Sequence, residues 1–410
     1  MRSDQATLSA HAPALSPAVP PPPPALAAVL ARADVRFNGG RPWDVQVNHP
    51  RLYRRLLTQW SLGAGEAYVD GDWDCDQLDE LFTRLMRADL DRAALGWGRL
   101  GLAWEALRHG VLNLQSVARA FQVGERHYDV GNDVFEAMLD PTMTYSCAWW
   151  GQADTLEQAQ FDKLEMVCRK LQLQPGERLL DIGCGWGGLA RHAAARFGVQ
   201  VTGVTVSREQ LALAQARCAG LPVDLRLQDY RTLQGRFDKI ASVGMFEHVG
   251  AKNYGVFFDT ARRLLAPEGL FLLHTIGNER TSAATDPWID RYVFPNGKIP
   301  SARELAEAVE GRFVLEDWHN FGADYDRTLM CWWQRFDAAW PRLAARYDQR
   351  FYRLWAYYLH SCAGYFRSRQ GQLWQLVLSQ RGRDAVYRSW RPAPGPRGPA
   401  GDAISARRSA

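Results

Sequence analysis

The chain has 410 residues, 47% of them hydrophobic, with 16 Trp and a formal net charge of +4. Such length and apolar content suit two or three packed domains, and so small a net charge counts against nucleic acid as the main partner. No apolar run approaches the roughly 18 residues of a membrane span, and no charged start precedes an apolar secretory core, so the expected location is the cytoplasm.

Residues 1–25 carry Pro13, Pro17 and the run Pro20 to Pro24, which reads as a disordered or polyproline leader. The first folded unit is expected over residues 26–110 as a small α+β domain. It holds the short alternating segment Val35 to Gly40, a helix-like stretch from Pro50 to Leu57, and a second helical stretch from Asp76 to Arg92. Nothing in it is catalytic by its own chemistry.

The second unit, residues 113–391, alternates apolar runs with amphipathic stretches, which predicts a doubly wound α/β sheet. Strands are expected near 177–182, 199–205, 222–228, 237–243 and 269–276. Two late strands, near 313–318 and 373–379, flank a long helical insertion. Ser207 with Gln210, and Ser301 with Glu304, have the spacing of capping boxes. The tail, 392–410, is rich in Pro, Gly, Ser and Arg and reads as disordered and basic. The cysteines, at positions 75, 147, 168, 184, 218, 331 and 362, lack C-x-x-C pairing, so neither a disulfide framework nor a metal site is expected.

Asp181-Ile182-Gly183-Cys184-Gly185-Trp186-Gly187-Gly188 joins the first of these strands to a helix. Glycines let the backbone approach a ligand, and the helix start offers free N–H groups to an anion. The glycine spacing also fits a dinucleotide fingerprint, but that fingerprint needs an acid at the end of the next strand. Val199 to Val206 ends without one, which disfavours NAD. Asp181 before the loop and Gln228-Asp229-Tyr230 after the third strand resemble instead the S-adenosylmethionine (SAM) site of Rossmann-like methyltransferases.

Four further segments are rich in reactive side chains: His127 to Asp133 leading to Thr144 to Trp150; Gly244 to Gly250 after the fourth strand; Leu272 to Gly277; and Asn320 to Asp326. With these, the chain from about Arg36 to Gly382 closely resembles the bacterial cyclopropane-fatty-acyl-phospholipid synthases, most specifically in GMFEHVG, DPWIDRYVFPNGKIP and EDWHNFGADYD. The resemblance implies a Rossmann-like class I methyltransferase domain with a seven-stranded sheet whose last strand is antiparallel. It implies transfer of a methylene from SAM to a cis double bond of a membrane phospholipid, with bound bicarbonate as base.

The matching cradle residues are Cys147, Glu247, His274, Ile276 and Tyr325. Glu247 would accept from the anion's own proton, His274 and Tyr325 would donate, and Cys147 and Ile276 would offer mainly backbone groups. Cys362 matches a cysteine regarded in the family as an active-site thiol, although no step needs a thiol adduct. For SAM, the resemblance implies Tyr145, Ser146, Asp181, Gly183, Cys184, Gly185, Gly187 and Gly188. It adds Thr205 and Gln210 in place of the ribose acid, then Gln228, Asp229 (to the adenine amine) and Tyr230, with His127 and Tyr128 closing over the cofactor. It further implies a homodimer at the inner face of the cell membrane, with residues 26–110 engaging lipid through a helix such as Arg51–Trp60. Two rivals stay open: methyl transfer to an amine or to a lipid alkene without ring closure, and a lipid-surface module that holds SAM without turnover.

Overall fold

A computed structural model describes residues 19–90, 131–282 and 284–391. His127 and Tyr128, most of the leader, the tail from 392 and the end of the first unit beyond residue 90 lie outside the described residues.

A seven-stranded sheet organises the molecule: β3 (Arg178–Ile182), β4 (Gln200–Thr205), β5 (Val223–Leu227), β6 (Phe237–Val243), β7 (Leu265–Asn278), β8 (Val314–Asn320) and β9 (Gly371–Ser379). Its order is β5-β4-β3-β6-β7-β9-β8. The first five strands run parallel, whereas β9 is antiparallel to both β7 and β8. The parallel part is the doubly wound sheet anticipated from the alternation of apolar runs, and the antiparallel last strand is the one the family resemblance implied. The inner strands read as nearly continuous apolar stretches because helices cover both faces. Strand order reverses between β3 and β6, so a crevice opens beyond their carboxyl ends.

The helices flanking the sheet begin where local chemistry satisfies their first N–H groups. Thr155 caps α5 (Leu156–Lys170) by accepting from the Gln158 amide. Ser301 and Glu304 form the full reciprocal box before α10 (Ala302–Val309). Ser207 caps α7 (Arg208–Arg217), but only half of the expected box exists there. The Gln210 side chain turns to the Thr205 hydroxyl, 3.1 Å away, instead of returning to Ser207. The loop helix α6 (Gly188–Phe197) starts at Gly187, φ +79°.

The first unit comprises α1 (Pro24–Ala31), the two-residue strands β1 (Gln46–Val47) and β2 (Trp73–Asp74), α2 (Arg51–Val69) and α3 (Leu78–Arg87). The expected stretch from Pro50 continues well past Leu57, with a break at Trp60, φ +46°. This unit does not pack alone. It shares one buried cluster with α4 (Asn132–Met138), α9 (Pro287–Tyr292), α11 (Ala323–Leu343) and α12 (Gln349–Arg367). At the crossing of α3 and α12, a Cβ on Gly364 would stand 2.5 Å from the Phe82 Cβ, so only glycine permits that approach. Arg353 and Arg367 on α12 reach back to Asp74 and Asp79. α8 (Tyr254–Leu264) covers the other side, among phenylalanines of a second cluster.

Candidate active site

A cavity of about 200 Å³ opens where β3, β4 and β6 end, lined by the glycine loop. Gly183, Gly185 and Gly187 all have positive φ, a conformation a side chain would strain. The Gly183 and Cys184 amides are tied to the Val204 carbonyl at 2.9 and 3.0 Å, which fixes the loop against β4.

Tyr145, Ser146, Asp181, Gly183, Cys184, Gly185, Gly188, Thr205, Gln210, Gln228, Asp229 and Tyr230 all line this cavity. Gly187 does not. It shapes the turn behind, where a Cβ would stand 3.0 Å from the Cys218 Sγ. Asp229 is held on both oxygens by Arg231, at 2.9 and 2.6 Å. A nucleobase amine would therefore share that carboxylate with a guanidinium.

Asp181 is 2% exposed and its Oδ2 has no hydrogen-bond partner among the described residues. Burial pushes its pKa up to about 7, against the opposing pull of Lys163. Lys163 itself is fully buried, donates to the Ser146 hydroxyl at 2.8 Å and is pushed down to about 8, chiefly by burial. Sequence reasoning missed Lys163. Its rarity, as one of five lysines, was the available hint, but burial on α5 was not legible.

A second set of groups abuts the cavity. Cys147 follows Ser146, and Glu247 sits in a tight turn, Phe246–His248, whose neighbours Met245 and His248 are cavity wall. β6 stops at Val243, opposite His274, and the next bridge on that edge of β7 is Asn278 to Ser301, so the short stretch between is left without a strand partner. Glu247 Oε1 accepts the Ile276 N–H there, at 2.7 Å. Of the Ile276 backbone groups expected to serve the cradle, the N–H is therefore committed to Glu247.

Glu247 Oε2 and His274 Nε2 are both buried and have no partner among the described residues. Burying a polar atom without a partner costs roughly 1–3 kcal/mol, so two such atoms in one region mark a place built for an occupant. Burial pushes Glu247 up to about 7, with the Ile276 amide opposing. His274 is held well below its ordinary value, first by burial and then by Lys163, Lys170 and His319. It is neutral at pH 7.

Tyr325, in the first turn of α11, is buried against Phe366 with ring centroids 4.4 Å apart. Its hydroxyl pKa is pushed far up, first by burial and then by the nearby Cys147 and Glu247. The Tyr145 and Trp332 rings lie 5.1 Å apart, tilted by 37°, and the Tyr145 and Tyr358 hydroxyls meet at 2.6 Å. Cys362, on α12, packs among these aromatics. Burial raises its pKa to about 12, which makes it an inert thiol at neutral pH.

The region therefore sets a glycine-loop cavity beside buried aromatic side chains, with unpartnered polar atoms at Asp181 Oδ2, Glu247 Oε2 and His274 Nε2. No group of three or more His, Cys, Asp or Glu arranged to hold a metal occurs among the described residues, and no helix there is long and apolar enough to cross a membrane.

Comparison with known proteins places this geometry. The family model "Mycolic acid cyclopropane synthetase" matches residues 115–376. A cyclopropane-fatty-acyl-phospholipid synthase of Escherichia coli (strain K12) is 54% identical over 352 residues, covering 86% of this chain and 92% of that protein. Among solved structures, the cyclopropane synthase MmaA2 from Mycobacterium tuberculosis superposes with a TM-score of 0.60 at 33% identity, covering 63% of this chain and 98% of that one. The mycolic acid cyclopropane synthase CmaA1 complexed with SAH and CTAB gives a TM-score of 0.59 at 32% identity, with the same coverage of both chains. The chain belongs to the mycolic acid cyclopropane synthetase family.

Proposed function

We propose that this protein transfers a methylene from SAM to the cis double bond of an unsaturated acyl chain in a membrane phospholipid, leaving a cyclopropane. The observation that carries the reading is that Glu247 Oε2 and His274 Nε2 are both buried without a hydrogen-bond partner among the described residues, on segments that adjoin the glycine-loop cavity. A methyltransferase acting on an amine has no need of such an anion cradle. The relatives' names and the CmaA1 complex with SAH support SAM as the donor.

An alkene is a weak nucleophile, so the donor must be held in line and away from water. The glycine loop and the α6 N-terminus receive the carboxylate end of the donor, with Lys163 behind Ser146 adding a buried positive charge. Attack by the alkene on the sulfonium methyl breaks the S–C bond and leaves a positive charge on the acyl chain. The faces of Tyr145, Trp332 and Tyr325 stabilise that charge by about 0.5–2 kcal/mol each without forming a bond. Loss of a proton from the newly attached methyl closes the ring.

The cradle residues fit bicarbonate: Glu247 Oε2 offers an acceptor to its hydroxyl, and His274 and Tyr325 offer donors to its oxygens. Bicarbonate bound there supplies the base for the proton loss. Glu247 and the anion tolerate each other because a proton is shared between them, as in paired carboxyls. Cys147 closes the cradle wall, and Cys362 lines the acyl pocket.

Residues 26–110 act as the lipid-engaging unit of a homodimer at the inner face of the cytoplasmic membrane. Arg54 and Leu57 are exposed on α2, while Arg51 and Arg55 are tied to Asp70 and Asp72. The headgroup contact therefore falls to Arg54 and its exposed neighbours.

Purified protein with SAM and vesicles of a monounsaturated phospholipid tests the reading by proton NMR. Vinyl signals should decline as upfield ring signals appear. Vinyl signals that persist while SAM is consumed would overturn ring formation, and no SAM consumption would leave only a binding module.

A further inference from the structure

Behind the cradle lies a row of polar side chains that the mechanism above does not use. His274 on β7, Gln375 on β9 and His319 on β8 stand directly opposite one another in the sheet register. Facing residues on neighbouring strands project to the same face. Lys170, the last residue of α5, extends onto that face. Its Nζ lies 2.7 Å from Gln375 Oε1 and 2.9 Å from His319 Nδ1. Lys170 and Gln375 are fully buried and His274 is 1% exposed. Asp317, 3.8 Å from Lys170, supplies the counter-charge and is itself paired with Arg391.

These distances fix proton positions by elimination. Burial and the neighbouring Arg391 pull the Lys170 pKa down to about 7 while Asp317 opposes them. Nζ donates to Gln375 Oε1, and the ammonium favoured by Asp317 can only donate, so the Gln375 oxygen faces Lys170. The Gln375 NH2 then faces His274 Nδ1, at 3.1 Å, and that nitrogen must accept. In a neutral imidazole one nitrogen accepts and the other carries the hydrogen. The hydrogen is therefore on Nε2, the orphaned atom of the cradle.

We propose that Lys170 and Gln375 form a buried clamp that locks His274 in the Nε2–H tautomer, so that it presents a hydrogen-bond donor, and never an acceptor, to an oxyanion in the cradle. Both are positioning residues: they act only through His274. The clamp also answers a chemical need. In the other tautomer the imidazole would offer a lone pair to the anion and repel it. It would also place a second base beside the reacting carbon. The functional meaning of the clamp rests on the anion-cradle reading; the tautomer itself does not.

The test is long-range proton–nitrogen NMR of the full-length protein labelled with 15N-histidine, with the His274 signals identified by their loss in His274→Gln. The wild-type spectrum should show a protonated Nε2 and an unprotonated Nδ1. Gln375→Glu keeps the size of the side chain and the contact to Lys170 but replaces the donor facing Nδ1 with a carboxylate oxygen. It should reverse the pattern and lower kcat about 10- to 100-fold, with the KM for SAM within about twofold. A wild-type imidazole protonated at Nδ1 overturns the clamp even if the variant fails to fold, as does a folded Gln375→Glu protein with unchanged tautomer or unchanged kcat. If the tautomer behaves as stated while turnover is indifferent to added bicarbonate, the clamp stands and the bicarbonate assignment falls.

Discussion

The two halves of the site are built in opposite ways. The glycine-loop half is made by backbone: positive φ at three glycines, amides tied to the Val204 carbonyl, and a helix start. Its residues from Asp181 to Gly188 are contiguous. The cradle half is made by side chains delivered from separate segments, namely Cys147, the turn at Glu247, β7 at His274 and α11 at Tyr325. It stores unsatisfied hydrogen-bonding capacity at Glu247 and His274, whereas the loop half adds positive-φ backbone conformation to a single unpartnered carboxyl oxygen, that of Asp181. Both halves hold buried ionisable groups, Asp181 and Lys163 in the loop cavity and Glu247 and His274 in the cradle, so both depend on which proton sits where; only the loop half adds a backbone cradle. The two halves should therefore fail differently when broken.

The largest expected effect is on the cradle. Glu247→Ala should reduce turnover by roughly 10²- to 10⁴-fold, while calorimetric SAM affinity stays within about threefold. A collapse of SAM binding in that variant would show that the two halves are one site. The loop should show the reverse. In Gly183→Ala, positive φ and a Cβ placed 2.7 Å from the Met245 side chain impose roughly 1–2 kcal/mol of strain. That amounts to about a tenfold loss of SAM affinity, with kcat at saturating SAM largely kept.

Stability should report the cradle's buried carboxyl through pH. In the folded, ligand-free protein Glu247 keeps its proton to about pH 7, above its ordinary value of 4.5. Between those values the unfolded chain has released a proton that the folded chain retains, so stability falls as pH rises through the window and the loss is complete above it. Glu247→Gln removes this penalty, at most about 3 kcal/mol. Its advantage in Tm over wild type should be larger at pH 8 than at pH 5; an advantage that shrinks with pH contradicts the burial argument. The smallest effect belongs to Cys362. Because its thiol stays protonated at neutral pH, Cys362→Ala should change turnover by less than about threefold, and a loss beyond that range would give the thiol a chemical role.

How much of this was legible in the sequence follows from the same contrast. The strands and the glycine loop could be read because alternating apolar runs and glycine spacing are local signals, whereas the antiparallel last strand came from the family resemblance. The cradle residues were named through the family resemblance, since nothing in the spacing of Glu247 and His274 says that they meet. Ile276 was expected to offer backbone groups to the anion, and the early end of β6 gives its N–H to Glu247 instead. Lys163, Lys170 and Gln375 were missed altogether. A lysine on an amphipathic helix reads as solvent-facing, and only the packed structure shows it buried against a polar partner from β9 or the cavity wall. The first unit read as separate because its own pattern is self-contained. Its merging with α11 and α12 depends on contacts such as Gly364 against Phe82, hundreds of residues apart.

The most direct measurement supplies SAM carrying a fully deuterated methyl group and counts the deuterium in the lipid product by mass spectrometry. If the loop half delivers the methyl and the cradle half removes one hydron from it, each modified acyl chain retains two of the three deuterons in a ring methylene. A product that keeps all three, on a methyl branch or an amine, would contradict the account.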